Sequence, residues 1–223
     1  MELHAEILSG AQKQVLGKLG ILKERNFYLE GGTALALQLG HRTSLDFDFY
    51  SREKFDNDSL ANDLKKLFPD SVIELPDRQP EDTFQGEIDG VQLSAFHYPY
   101  ELINSLIDFP PIKLAGIEDI AAMKVAAIIQ RGKQRDFVDI YYLIEKLGMA
   151  RVIEVSFKKY PWYQENSQII FKTLTYFDEA DADTEVSRIS LLDKNLSWEQ
   201  VKQKIATAVK SQYLHYDVKE SAN

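Results

Sequence analysis

The chain has no cysteine among its 223 residues. That absence excludes a disulfide framework and any thiolate-bound metal, and it points to a reducing compartment, the cytoplasm. No apolar run approaches the length of a bilayer span. The longest, Ile117 to Ile129, is interrupted by Glu118, Asp119 and Lys124. The opening residues, Met1-Glu2-Leu3-His4-Ala5-Glu6, lack a basic segment followed by an apolar one, so neither a signal peptide nor a membrane partner is expected. Positive charge is scarce too: 26 Lys and Arg against 35 Asp and Glu leave a net charge of −9. A protein that coats nucleic acid by bulk electrostatics needs the opposite balance. The deficit is uneven, because Lys124, Arg131, Lys133 and Arg135 cluster and can hold a phosphate locally. An acidic surface equally suits a basic protein partner. His4, His41, His97 and His215 are scattered without ligand spacing, so no zinc site is expected.

What is present suits one well-cored domain or two small lobes. From Leu3 to Glu24 the apolar residues Ile7, Ala11, Val15, Leu19 and Leu22 recur at helical spacing, which predicts one amphipathic helix. Phe27-Tyr28-Leu29 reads as a short buried strand running into Gly31-Gly32. Thr33 to Leu39 reads as a helix capped by Thr33 and stopped by Gly40. After the polar turn His41-Arg42-Thr43-Ser44, a second strand spans Leu45 to Tyr50. Further on, 57–68 predicts a helix and 72–75 a strand. Thr83–Ile88 and Val91–Tyr98 are extended runs joined by Asp89-Gly90, a strong hairpin signal. Pro110-Pro111 breaks the chain, and helices are predicted over 118–131, 136–146, 151–160, 164–177 and 198–213. The outline is α+β: a mixed α/β core over 1–112, then a helical half over 113–223.

Two features of the first half carry chemistry. Asp46 and Asp48 lie two apart on a strand, so their carboxylates project from one face, with Phe47 and Phe49 facing the core. Two adjacent anions repel unless a cation sits between them. Mg²⁺, or Mn²⁺ in its place, favours such oxygens together with substrate phosphates. An exposed edge strand would show the same alternation. The second feature is a strand ending in Gly31-Gly32 before a helix. It offers bare backbone N–H groups to an anion, and the glycines let a triphosphate approach the main chain. Thr33 can donate a hydroxyl to the phosphates or cap the helix. A phosphate cradle followed by an acid pair is what metal-assisted phosphoryl transfer requires.

The run Leu29-Glu30-Gly31-Gly32-Thr33-Ala34-Leu35-Ala36-Leu37, followed by His41-Arg42-Thr43-Ser44-Leu45-Asp46-Phe47-Asp48-Phe49, resembles the AbiEii/AbiGii-type nucleotidyltransferase toxin family. That family carries a Gly-Gly/Ser-Thr element, a short helix, then Arg-x-Ser-x-Asp-hydrophobic-Asp. A second stretch, Glu118-Asp119-Ile120-Ala121-Ala122-Met123-Lys124 through Arg131 to Arg135-Asp136-Phe137-Val138-Asp139-Ile140-Tyr141, is similar to its Lys-bearing helix and Arg-Asp-x-x-Asp helix. The resemblance implies a polymerase β-like nucleotidyltransferase core, a small mixed sheet with flanking helices. The helical lobe would complete its cleft. It also implies transfer of a nucleoside monophosphate from a nucleoside triphosphate, with Mg²⁺, to an RNA end such as tRNA, and a toxin countered by a separate antitoxin.

On that basis Asp46 and Asp48 are the expected metal ligands and, with Lys124, the expected catalytic groups. Gly31, Gly32, Thr33, Arg42, Ser44, Arg131, Arg135 and Asp136 are the expected nucleotide-binding residues. Lys124 and Arg131, seven apart on one helix, share a face. Asp136 could orient either of them. Arg135 and Asp139 form an i,i+4 pair that could be no more than a surface ion pair. Polymerase β-like enzymes usually add a third carboxylate on a neighbouring strand. Here Val91-Gln92-Leu93-Ser94-Ala95-Phe96-His97-Tyr98 supplies none, and Ser94 falls in its place. Serine is a poor general base, and Glu87 or Asp89 could substitute only in another strand register. A nucleotide-binding protein without transfer chemistry, acting through a protein partner, is therefore the alternative. Tyr160, Trp162 and Tyr163 could stack a base or simply pack between helices.

Overall fold

A computed structural model of the chain describes residues 2–185 and 189–220, the side chains of 215–220 excepted, so that of His215 lies outside the described residues. Two compact units divide at Gly116 and Ile117. The first carries a 3-10 turn (Ala5–Ile7), then α1 (Gly10–Leu16), α2 (Gly20–Glu24), β1 (Tyr28–Glu30), α3 (Gly31–Leu39), β2 (Phe47–Ser51) and α4 (Asn57–Leu67). It continues with β3 (Ile73–Glu74), β4 (Thr83–Ile88), β5 (Val91–His97), β6 (Ile107–Phe109) and β7 (Ile112–Leu114). The seven strands form one mixed sheet in the order β3-β4-β5-β2-β1-β7-β6. The pairs β2–β5 and β1–β7 are parallel and the remaining pairs antiparallel.

The register explains both faces of this sheet. Leu114, Leu29, Phe49, Ala95 and Phe84 are successive cross-strand partners. All five are fully buried, so they form one apolar row across the sheet. One residue along each strand, Glu30, Asp48, Ser94 and Gln85 are likewise partners, and they project from the opposite face. A one-residue slip would exchange the two rows, so burial of the aromatic row fixes where the acids point.

Three expectations for this half change. The single helix expected over 3–24 is three short pieces. Ser9 starts α1 with a reciprocal cap, its hydroxyl accepting from Gln12 N while Gln12 Oε1 accepts from Ser9 N, and Gly17 ends it. Thr33 does not cap α3: Glu30 precedes the first helical residue, Gly31, and Thr33 lies inside the first turn. The break at Pro110-Pro111 proves to be the turn of a β6–β7 hairpin absent from the sequence reading, and its peptide bond is cis. Gly40 ends α3 in the left-handed region as expected. Asp89 and Gly90 have φ of 50° and 80°, as the hairpin signal demands.

The second unit contains α5 (Ile117–Arg131), α6 (Gln134–Leu147), α7 (Met149–Lys159), α8 (Pro161–Glu165), α9 (Ser167–Thr173), α10 (Asp178–Asp181) and α11 (Trp198–Glu220). The helix expected over 164–177 is split between α8 and α9. Tyr160 and Tyr163 are buried against each other, ring centroids 5.4 Å apart, so packing explains them. Among the described residues no helix is long and apolar enough to cross a membrane.

Candidate active site

The site is built on the junction of β1 and α3. Gly31 opens α3 with φ 76°, a left-handed conformation that a side chain would strain. A Cβ placed there would lie 3.3 Å from Asp48 Oδ2, so the carboxylate stands directly beside the glycine. A Cβ on Gly32 would lie 2.5 Å from Arg42 Nη2 and 3.5 Å from Ser44 Oγ. Both glycines are therefore required, one by backbone conformation and one by close packing. The first turn of α3 presents N–H groups that its own helix cannot satisfy. Its dipole adds partial positive charge there.

Asp46 and Asp48 are half-buried, while Phe47 and Phe49 between and beyond them are fully buried. The loop that delivers Asp46 is fastened from three sides. Thr33 Oγ1 bonds the Asp46 carbonyl and lies 2.8 Å from Ser44 Oγ. A carbonyl can only accept, so the Thr33 proton goes to Asp46 O and the Ser44 hydroxyl donates to Thr33. From α1, Gln12 Nε2 donates to Ser44 O at 2.8 Å. Arg42 is 1% exposed, and its Nη1 donates to Thr43 O at 2.8 Å. Thr33 and Ser44, expected at the phosphates, thus hold the acid-bearing loop against the helix N-terminus. Arg42 places a guanidinium beside Gly32.

Ser94 stands directly beside Asp48 in the parallel β2–β5 pair, where the third acid was expected. Glu87 lies on β4, one strand farther out, paired with Gln92 of β5. Asp89 is in the hairpin turn, where its Oδ1 accepts from Val72 N at 3.0 Å. Neither acid substitutes for Ser94. Among the described residues no three His, Cys, Asp or Glu side chains converge into a metal cage. The donor set that does exist is two hard carboxylates beside a phosphate-competent helix N-terminus. It fits Mg²⁺, which binds through one or two carboxylates and completes its shell with water and substrate phosphate.

Of the expected residues in the second unit, Lys124, Asp136 and Arg131 come together. The Lys124 Nζ is 2.7 Å from Asp136 Oδ1 and 2.7 Å from Asp139 Oδ2, and all three side chains are buried. Arg131 Nε adds a 3.3 Å contact to Asp136 Oδ2, so Asp136 does hold both basic groups. Arg135 bonds Glu185 Oε2 at 3.3 Å rather than Asp139. A second buried pair, Lys159 with Asp119 at 2.8 Å, was missed, as was the two-pronged bond of Arg151 to Glu118. Acids in the first turn of α5 gave a signal for Asp119 and Glu118, but their partners on α7 lie more than thirty residues away.

Comparison with known proteins bears on the family and the fold. A relative from Aquifex aeolicus (strain VF5), itself an uncharacterized protein, is 37% identical over 185 residues, covering 78% of this chain and 84% of the relative. The fold is shared with JHP933 from Helicobacter pylori, at a TM-score of 0.57 and 17% identity over 99% of this chain and 96% of that one. It is shared too with the nucleotidyltransferase toxin MenT4 of Mycobacterium tuberculosis H37Rv, at a TM-score of 0.59 and 15% identity over 90% and 82%. Residues 21–214 match the family described as nucleotidyl transferase AbiEii toxin, type IV toxin–antitoxin system. A match over that much of the sequence shows that the chain belongs to the AbiEii nucleotidyltransferase toxin family.

Proposed function

We propose that the protein transfers a nucleoside monophosphate from a nucleoside triphosphate to an RNA acceptor, tRNA foremost, as a toxin restrained by a cognate antitoxin. The observation that carries this reading is the contact of Asp48 with Gly31, which sets a carboxylate pair against the N-terminus of α3. The N–H groups of Gly31, Gly32 and Thr33 bind phosphate oxygens, and the buried Arg42 adds positive charge behind them. Asp46 and Asp48 hold Mg²⁺, which when bound neutralises charge on the phosphates and on the attacking oxygen. An acceptor hydroxyl oxygen bonds to the α-phosphorus, the α–β phosphoanhydride breaks, and pyrophosphate departs. The hydroxyl proton passes to solvent or to one of the two aspartates, since Ser94 cannot take it.

Ser94 also supports a second reading: a protein that binds nucleotide and acts through a protein partner without transfer. Label transfer separates the two. Each of the four α-labelled nucleoside triphosphates is incubated with protein, Mg²⁺ and total tRNA, with a protein-only lane for self-modification. Label in the wild-type lanes and none with Asp46→Ala/Asp48→Ala is the expected outcome. Nucleotide binding that needs both aspartates, with no label anywhere, supports the second reading. Unchanged binding by a folded double variant refutes the site.

A further inference from the structure

Beyond the acids, the same sheet face carries an aromatic ladder. Tyr50 follows Asp48 by two residues on β2, and Phe96 follows Ser94 by two on β5, so both rings project on the acid side. They are cross-strand partners with centroids 5.4 Å apart. Tyr98 extends the series at 5.3 Å from Tyr50, its backbone N–H bonded to Ser51 O at 2.7 Å. Tyr100 follows at 4.8 Å from Tyr98 and is 43% exposed. At about 3.3 Å per residue, the ladder begins roughly 7 Å from Asp48 along the strand.

The ladder leads to positive charge. Arg52, two residues past Tyr50, lines a concavity of about 360 Å³ together with Lys23, Lys113, Asn26 and Glu53. The cations there have weak, exposed partners. Lys23 and Lys113 share Asp108 Oδ1, each at 3.9 Å, with the Asp108 side chain 71% exposed. Arg52 pairs with Glu101, the neighbour of Tyr100. Exposed pairs of this kind are exchanged for a phosphate at little cost. Glu53 is occupied by Asn26 Nδ2 at 3.3 Å.

We propose that this track binds the unpaired end of the acceptor strand: its bases stack on Tyr50, Phe96, Tyr98 and Tyr100, and its phosphates reach Arg52, Lys23 and Lys113. Rings in series beside a cationic groove are the physical requirement for holding a single strand without reading its sequence. An acidic protein can bind nucleic acid this way, because stacking adds to the attraction of a local cationic groove. The inference rests on the proposed RNA acceptor.

The test is fluorescence anisotropy with a short labelled single-stranded oligoribonucleotide and the full chain, without Mg²⁺ or nucleoside triphosphate. Binding is thus read apart from transfer. The single strand is expected to bind, a blunt duplex of the same sequence much more weakly. Tyr98→Leu/Tyr100→Leu should weaken binding roughly ten-fold or more, given the strength of base–ring stacking, and Tyr98→Trp should retain it. If the double variant misfolds on thermal melting, Tyr100→Leu alone decides, because that ring is the exposed one. Lys23→Ala/Lys113→Ala should flatten the salt dependence. Wild-type affinity in the leucine variants, equal binding of duplex, or no binding of the single strand overturns the proposal, the last being the result if a protein partner covers these rings. Loss of nucleotide binding alone in the leucine variants overturns it as well, because the rings would then hold the incoming base. Ladder-dependent strand binding without label transfer would refute the transfer reading and leave the track standing.

Discussion

Replacing Lys124 by methionine separates two roles for this side chain, because the structure gives its charge two buried carboxylates to hold. Methionine keeps the length and apolar stem and removes only the ammonium. Asp136 would keep Arg131 at 3.3 Å, a partner half exposed to solvent. Asp139 would lose a 2.7 Å bond in a position with no solvent exposure. Removing one member of a buried ion pair costs about 3–5 kcal/mol, a large share of the roughly 5–15 kcal/mol that holds a domain together. For a chain of this size the melting temperature should fall by about 6–20 °C. The measurement is urea and thermal unfolding followed by circular dichroism at neutral pH. Lys124→Met/Asp139→Asn should recover more than half of the loss, since removing both charges of a buried pair is far cheaper than removing one. A single variant within about 1 kcal/mol of wild type would refute the structural role, as would a double variant no more stable than the single. If stability is unchanged while label transfer disappears, the lysine acts on the phosphates.

Gly31→Ala should cost about 1–2 kcal/mol through its left-handed φ, and its methyl should push Asp48 aside, so Mg²⁺-dependent nucleotide affinity should fall further than stability does. Nucleotide affinity unchanged in the folded variant would contradict the Asp48–Gly31 contact. Gly32→Ala should destabilise by about 1–3 kcal/mol, because a Cβ 2.5 Å from Arg42 Nη2 has to displace a buried guanidinium; a neutral outcome on denaturant unfolding would show that Arg42 is free to move. For Asp183, burial pushes the carboxyl upward, but the backbone N–H groups of Glu185 and Gln134 and the Lys133 ammonium prevail and hold it below the usual aspartate range. A depressed folded pKa stabilises fully above the unfolded value of about 3.9 and loses that contribution as pH falls through the folded one. Asp183→Asn should therefore lower stability at pH 7 and narrow its gap to wild type in acid; a gap that widens on acidification would reverse the sign.

Much of the candidate site was legible because it is local. Gly31, Gly32, Asp46 and Asp48 lie within one strand–helix–strand unit, and alternation with Phe47 and Phe49 fixes their direction in any register that buries the aromatics. The hairpin at Asp89-Gly90 was legible for the same reason: two positive φ values are encoded in two adjacent residues. What sequence periodicity could not carry was the assignment of polar partners across distance. Thr33 looks like a cap because threonine before an apolar helix usually is one, yet its hydroxyl closes onto residues eleven and thirteen positions later. Asp139 looks like the i,i+4 mate of Arg135, but helix α6 turns it toward Lys124 on α5. The 3–24 segment keeps a helical apolar rhythm through its breaks at Ser9 and Gly17, so periodicity alone hid three pieces inside one pattern. Strands β6 and β7, three residues each, are too short to show alternation.

The order of strands in the sheet has a consequence in time. Beside β2, Phe47 is paired with Leu93, and beside β1, Leu29 is paired with Leu114. Both partnerships are parallel and neither can form while the later strand is still inside the ribosome. At about 5–20 residues per second, the stretch from Leu29 to Leu114 takes roughly 4–17 s to make. Throughout that interval the glycine turn and the aspartates lack β7, and for most of it β5, beside the strands that carry them. In a chain built this way the candidate site cannot be complete until most of the first unit has been made.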